Sequence, residues 1–102
     1  MKHENIRHSI LQVALELAKE KGYQNVRRDQ IASELRVSPG LIGHYYGTMN
    51  QLKRAIIRHA ATNGVIEVLT QGVVAGDRHA ITAARKNPQL VTDHINAKIH
   101  TI

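Results

Sequence analysis

The amino-acid sequence predicts an all-α protein, and three observations support this fold class. First, the 102 residues include three tyrosines but no phenylalanine, tryptophan or cysteine, so Ile, Leu, Val and Ala must form the core. Second, apolar residues recur at helical spacing on one broad face, most clearly at Ile6, Ile10, Leu11, Ala14, Leu15, Leu17 and Ala18. Third, residues typical of helix starts and ends flank such stretches.

The first helix is predicted over about residues 5–21. Asn5 is a suitable N-cap because its side chain can accept a hydrogen bond from a free backbone N–H. Gly22 suits the left-handed position after the helix. A shorter second helix is predicted from about Arg27 to Leu35, with Asn25 as its cap.

Ser38 followed by Pro39 is the clearest helix start in the chain, since serine caps well and proline suits the first helical position. It predicts a third helix from about Pro39 to Tyr46, a short turn after the second. Two short helices joined in this way form the helix-turn-helix pattern. A fourth helix is expected next, with Thr48 or Asn50 as its cap.

The rest of the chain is harder to divide, because glycines interrupt its apolar residues at Gly64, Gly72 and Gly76. Asp77 is expected to cap a further helix that ends near Lys86, and Asn87-Pro88 to begin a last one. Five or six helices are therefore expected, without a sheet.

The net charge of +6 favours a polyanionic partner such as nucleic acid. The excess lies mainly in residues 1–54, which hold nine Lys or Arg against five Asp or Glu. No stretch approaches the ~18 apolar residues of a membrane span, and the N-terminus lacks the apolar region of a signal peptide. We therefore expect a cytoplasmic protein without membrane contact.

The residue types also bear on catalysis and metal binding. Without cysteine there is no disulfide framework, no cysteine-zinc site and no thiol nucleophile. The seven histidines are scattered, and no Ser-His-Asp set, glycine-rich phosphate loop or carboxylate pair stands out. We therefore expect no enzyme activity, no metal and no cofactor.

A distributed motif spans residues 10–52. Gly22-Tyr23 ends the first helix, Ile31 follows nine residues after Gly22, and Val37-Ser38 leads into the third helix. The remaining matching positions are Ile10-Leu11, Ala14-Leu15, Leu17, Ala32, Gly40, Ile42, Tyr45-Tyr46 and Leu52. With these residues the chain resembles the N-terminal DNA-binding region of the TetR (tetracycline repressor) family.

The resemblance implies a DNA-binding transcription regulator, with repression the expected mode, that acts as a homodimer on an operator. Residues 1–60 would form the helix-turn-helix DNA-binding region. Residues 61–102 would form a short helical dimerisation region, continuous with the first in one compact domain. Because so little chain follows the fourth helix, we expect no small-molecule effector.

Three positions depart from the family's pattern. Arg36 stands where the family usually has glycine in the inter-helix turn, and Gly43 where it usually has tyrosine. Met49 stands where a phosphate-contacting lysine is usual. The last two differences remove two habitual contacts with the DNA backbone, so docking on DNA need not copy that of the family.

The DNA-contacting candidates fall into two groups. Those at the start and outward face of the third helix would meet base edges in the major groove: Ser38, Pro39, Gly40, Leu41, His44 and Tyr45. Those near helix ends would bind phosphates: Arg27, Arg28, Arg36, Thr48, and Lys53 with Arg54. The alternative for Arg27 and Arg28 is a solvated pair balanced by Asp29 and Glu20. Tyr23 and Tyr46 are expected in the core.

The apolar residues after Ala60 are too many for one short layer of helices to cover, which predicts a partner surface. The expected dimer contacts are Ile66, Leu69, Val73, Ile81, Leu90 and Ile95. Two other functions stay open: a plasmid or phage partition protein that coats repeated DNA sites, and a protein-interaction module such as an antirepressor.

Overall fold

A computed structural model describes residues 3–88 of the chain, with side chains from residue 6 onward. These residues form no strand, which confirms the all-α prediction. Their helices are α1 (His3–Lys21), α2 (Arg28–Leu35), α3 (Pro39–Tyr46), α4 (Met49–Asn63), α5 (Ile66–Val74) and α6 (Arg78–Lys86), with a short 3-10 helix at Tyr23–Asn25. None of these helices combines the length and apolar character that crossing a membrane requires.

Two predicted caps of the first helices are wrong. Helix α1 begins at His3, so Asn5 lies inside it. Asn25 lies in the 3-10 helix, and its Nδ2 donates to the Lys21 carbonyl at 2.7 Å instead of capping α2. Gly22 does follow α1 with a positive φ of 91°, and its N–H donates to the Ala18 carbonyl at 2.8 Å.

The next two helices begin as predicted. Pro39 occupies the first position of α3 and Ser38 the N-cap, although the Ser38 side chain makes no capping hydrogen bond. Thr48 caps α4: its Oγ1 accepts from Gln51 N at 3.2 Å, while Gln51 Oε1 accepts from Thr48 N at 2.8 Å. This reciprocal pair is a capping box, and it fixes where α4 starts after α3.

The chain divides into two compact units, Met1–Ile56 and Ile57–Ile102. The core of the first unit is aliphatic apart from Tyr23, which is buried as predicted. Its buried residues are Ile10, Ala14, Leu15, Leu17, Ala18, Tyr23, Val26, Ile31, Ala32, Ile42, Leu52 and Ile56. This core packs α1 and α2 together and places α3 against α2.

Within the second unit, Gly64 and Gly76 lie at helix ends with positive φ values of 67° and 80°. Asp77 caps α6 as predicted, since its Oδ1 accepts from Ala80 N at 3.0 Å. Gly72 is different: it is buried within α5, where a Cβ would lie 2.5 Å from the Ala80 Cβ. The predicted last helix from Asn87-Pro88 lies almost entirely outside the described residues.

One predicted dimer contact needs correction. Leu69 is 1% exposed and Val68 is fully buried, so both belong to the core of this chain and Leu69 is not available to a partner. Ile66, Val73 and Ile81 are half-buried. Val74 is the exposed large apolar residue among those described, at 83% exposure. Leu90 and Ile95 lie outside the described residues.

Candidate nucleic-acid interface

The turn between α2 and α3 is tight and left-handed. Arg36 adopts φ 58° and ψ 44°, the one positive φ of a non-glycine residue in the part of the chain that is described. Its N–H donates to the Ser33 carbonyl at 3.3 Å, and Val37 N donates to the Ala32 carbonyl at 3.0 Å. This conformation costs an L-residue roughly 1–2 kcal/mol, which is the physical reason for a glycine here in the family pattern.

Helix α3 presents an exposed face opposite its buried residue Ile42. Gly40 and His44 lie one turn apart on this face and are exposed. Nothing crowds Gly40, because a Cβ there would find its nearest neighbour, Ser38 Oγ, at 4.0 Å. Because Gly40 is exposed and has no side chain, its backbone can approach another molecule closely.

The other predicted base-contacting residues surround this face. Ser38 and Pro39 are exposed at the start of α3, while Leu41 and Tyr45 are half-buried on its flanks. The His44 and Tyr45 rings pack edge to face, with their centroids 5.3 Å apart and an interplanar angle of 84°. This contact restricts the imidazole without covering it.

The C-terminal end of α3 is tied to α1. Arg7 Nη1 donates to the Tyr45 carbonyl at 2.9 Å, and the Arg7 guanidinium lies 4.7 Å from the centre of the Tyr46 ring. The Tyr46 hydroxyl donates in return to the Arg7 carbonyl at 2.9 Å. Burial raises the pKa of the Tyr46 phenol, although the Arg7 charge lowers it, so the hydroxyl keeps its proton and stays a donor at neutral pH.

Arg28 is tied to the same end of α3 from α2. Its Nη2 donates to the Gly47 carbonyl at 2.9 Å, and a Cβ on Gly43 would lie 3.3 Å from its Nη1. Its Nε is buried and has no hydrogen-bond partner within the described structure. Arg28 is therefore half-buried against the protein, which does not fit the solvated-pair alternative for this residue.

A groove of about 430 Å³ lies beside the start of α2 and the start of α4. Its cationic lining residues are Arg27, Arg28 and Lys53, and Met49 lines it as well. Arg27 is exposed and its Nε lies 3.3 Å from Asp29 Oδ1, which matches part of the solvated-pair alternative. Lys53 lies one turn after Met49 on α4 and lines the same groove, close to where the family's usual lysine would be.

The structure thus brings the predicted contacts into two sets. Arg27, Arg28 and Lys53 share the groove, and the six base-contacting candidates lie on α3 or, for Ser38, at its N-cap. Arg36 and Thr48 are exposed at the two turns that flank α3. Sequence reasoning missed Arg7, because its partners lie 38 and 39 residues away and no local pattern links them.

The second unit contains an open groove of about 330 Å³ between α4 and α6. Ile57, Ala61 and Ala83 contribute apolar surface, and Arg58, His79 and Lys86 contribute basic groups. This volume is at the lower end of that of ligand sites, about 300–1,000 Å³. The absence of an effector stays a prediction. Among residues 6–88, whose side chains the structure describes, there is no group of three or more His, Cys, Asp or Glu that could hold a metal ion.

Comparison with known proteins adds one finding. Residues 10–61 match the family model described as "Bacterial regulatory proteins, tetR family". This match covers the helix-turn-helix unit and most of α4. No curated protein sequence and no solved structure matches the chain.

Proposed function

This chain belongs to the TetR family of bacterial regulatory proteins, DNA-binding transcription regulators with a helix-turn-helix, and we propose that it is a repressor that binds an operator as a homodimer in the cytoplasm. The observation that carries the proposal is the exposed face of α3. Gly40 and His44 lie on it opposite the buried Ile42, in a helix preceded by the turn at Arg36. In a helix-turn-helix the second helix enters the major groove.

The small size of the DNA-contacting surface supports the proposed homodimer. One recognition helix contacts only a few base pairs, so tight binding at physiological salt generally takes two half-sites. We assign dimerisation to residues 61–102, supported by the half-buried Ile66, Val73 and Ile81 and the exposed Val74. Two-fold pairing would match a palindromic site.

Selection of bound sequences from random double-stranded DNA tests the proposal. A repressor of this kind selects one palindrome, with half-sites about one or more helical turns apart. Enrichment of an array of direct repeats would instead favour the partition protein. DNA binding that is absent, or that does not respond to salt, would contradict the proposal and favour the protein-interaction module.

The first prediction concerns the groove lined by Arg27, Arg28 and Lys53. Arg27→Ala and Lys53→Ala are each expected to weaken binding to all DNA sequences alike, because phosphates are the same at every site. Each variant should also flatten the plot of log affinity against log salt concentration, by about 0.9 for each phosphate that the protein no longer neutralises. Fluorescence anisotropy at several salt concentrations measures both quantities.

Arg85→Ala is the matched control for these variants, since Arg85 is an exposed arginine on α6 that does not line the groove. Its slope should equal that of the wild type. An altered sequence preference with an unchanged slope in Arg27→Ala or Lys53→Ala would contradict the assignment to phosphates.

The turn gives a second prediction. Arg36→Gly is expected to raise the free energy of unfolding by roughly 0.5–1 kcal/mol, because relief of the left-handed strain exceeds the added entropy of the unfolded chain. The same variant should bind DNA more weakly, because it removes a cation beside α3. Urea denaturation measures the free energy of unfolding, and fluorescence anisotropy measures the affinity for DNA. A variant that gains both stability and affinity, or loses both, would contradict the prediction.

A further inference from the structure

Two arginines from different helices hold the C-terminal end of α3. The last carbonyls of a helix have no partner inside the helix and need one from elsewhere. Arg7 on α1 donates to the Tyr45 carbonyl, and Arg28 on α2 donates to the Gly47 carbonyl just beyond the helix, both at 2.9 Å. Arginine at this end also matches the negative pole of the helix dipole.

Gly43 makes room for the Arg28 guanidinium. A Cβ at this position would lie 3.3 Å from Nη1 and 3.4 Å from Cζ of Arg28, so any side chain here would push the guanidinium back by at least a few tenths of an ångström. The φ of Gly43 is not in the left-handed region, and the residue is an ordinary part of α3. Close approach of Arg28 is therefore the physical role that the structure gives to this glycine.

The guanidinium is also poorly placed to reach a phosphate by its other nitrogens. Its Nε is closed off from solvent without a hydrogen-bond partner in the described structure, and its Nη1 lies against α3. A bidentate grip on phosphate uses two neighbouring N–H groups in parallel. On the edge formed by Nε and Nη2, Nε is closed off and one of the two N–H groups of Nη2 already donates to the Gly47 carbonyl.

We propose that Arg28 is a positioning residue that sets the orientation of α3 through Gly43 and Gly47, and that it determines sequence discrimination without contacting phosphate. This inference rests on the proposed function in which α3 contacts bases. Base recognition depends on placement to within about half an ångström, so loosening one end of α3 weakens specific binding selectively. Arg27, one residue away and exposed, keeps the phosphate role.

The test measures affinity for the selected operator and for random DNA across a salt series. Arg28→Ala is expected to reduce the ratio of specific to non-specific affinity by about tenfold, with the salt slope unchanged. Gly43→Ala should act in the same direction but less strongly, because the guanidinium must shift by a few tenths of an ångström to make room for the Cβ. Because both changes disturb one interaction, the double variant should be no worse than Arg28→Ala alone.

Arg28→Lys is the sharpest variant, since it keeps the positive charge and removes the planar fork. A positioning role predicts that lysine fails to restore discrimination, whereas a phosphate contact predicts that lysine suffices. Circular dichroism and thermal melting check that each variant folds. Arg27→Ala is the positive control, because it is expected to flatten the plot of log affinity against log salt concentration.

Two results would overturn the inference: a salt slope in Arg28→Ala that falls by about one, as when a phosphate is no longer neutralised, or additive losses in the double variant. Failure of the proposed function looks different, because the wild type would then show no preference for any sequence, whatever happens in the variants.

Discussion

Val74→Glu is expected to convert a dimer into a folded monomer and to lower affinity for a palindromic operator by at least about 100-fold, since one half-site alone retains little specific binding. Val74 is 83% exposed near the end of α5, so a carboxylate there costs the single chain little. Buried against a partner, the same charge would lose its hydration. Sedimentation at tens of micromolar and operator binding measure the two effects.

Two variants separate this effect from general damage. Gln12→Glu adds a carboxylate at an exposed polar position of α1, outside the region assigned to dimerisation, and should leave the dimer intact. Leu69→Glu buries its carboxylate inside the chain and should unfold the second unit instead of releasing a folded monomer. A wild-type chain that sediments as a monomer, or a Val74→Glu variant that stays dimeric, would contradict the proposed interface.

Helix positions follow well from local sequence, with the predicted caps Asn5 and Asn25 as exceptions. Ser38-Pro39, Thr48 and Asp77 all mark helix starts, and the pairing of Thr48 with Gln51 is a local signal. The prediction for Asn5 fails because α1 already includes this residue. The prediction for Asn25 fails because Asn near a helix end can serve more than one carbonyl or N–H. Asn25 bonds backward to Lys21, at the end of the preceding helix.

In the candidate site, too, some features follow from local sequence and others depend on tertiary packing. The exposed face of α3 follows from helical periodicity around Ile42, so Gly40 and His44 could be predicted as outward-facing. The environment of Arg28 could not, because its partners Gly43 and Gly47 lie 15 and 19 residues away on α3 and just beyond it. Periodicity places a residue on a face, whereas only tertiary packing tells which arginine is already bonded within the protein.

The same distinction explains why the dimer prediction for Leu69 is wrong. An apolar residue after Ala60 can be covered by its own chain or by a partner, and the sequence does not distinguish the two. The close approach of α5 and α6 at Gly72 decides the matter for this residue, because it lets the two helices bury Val68, Leu69 and Ala80 within one chain.

Gly72→Ala is therefore expected to lower the free energy of unfolding, although alanine is the better helix former by roughly 0.5–1 kcal/mol. The new Cβ would lie 2.5 Å from the Ala80 Cβ and 2.9 Å from Ile57 Cδ1. The Ala80 Cβ is fixed to the backbone and cannot rotate away, so α5 and α6 must separate, at a net cost of about 1–3 kcal/mol. Denaturation monitored by circular dichroism, with hydrogen exchange on α5 and α6, measures the loss and locates it.

Gly40→Ala is the matched control for Gly72→Ala, because it makes the same change in an exposed helix where the nearest neighbour is 4.0 Å away. It should raise the free energy of unfolding by up to about 1 kcal/mol through helix propensity. Its new methyl group should weaken operator binding, since it lies on the face of α3 that we propose meets the bases. The two substitutions thus change stability in opposite directions, and equal signs would mean that Gly72 is not the contact point of α5 and α6.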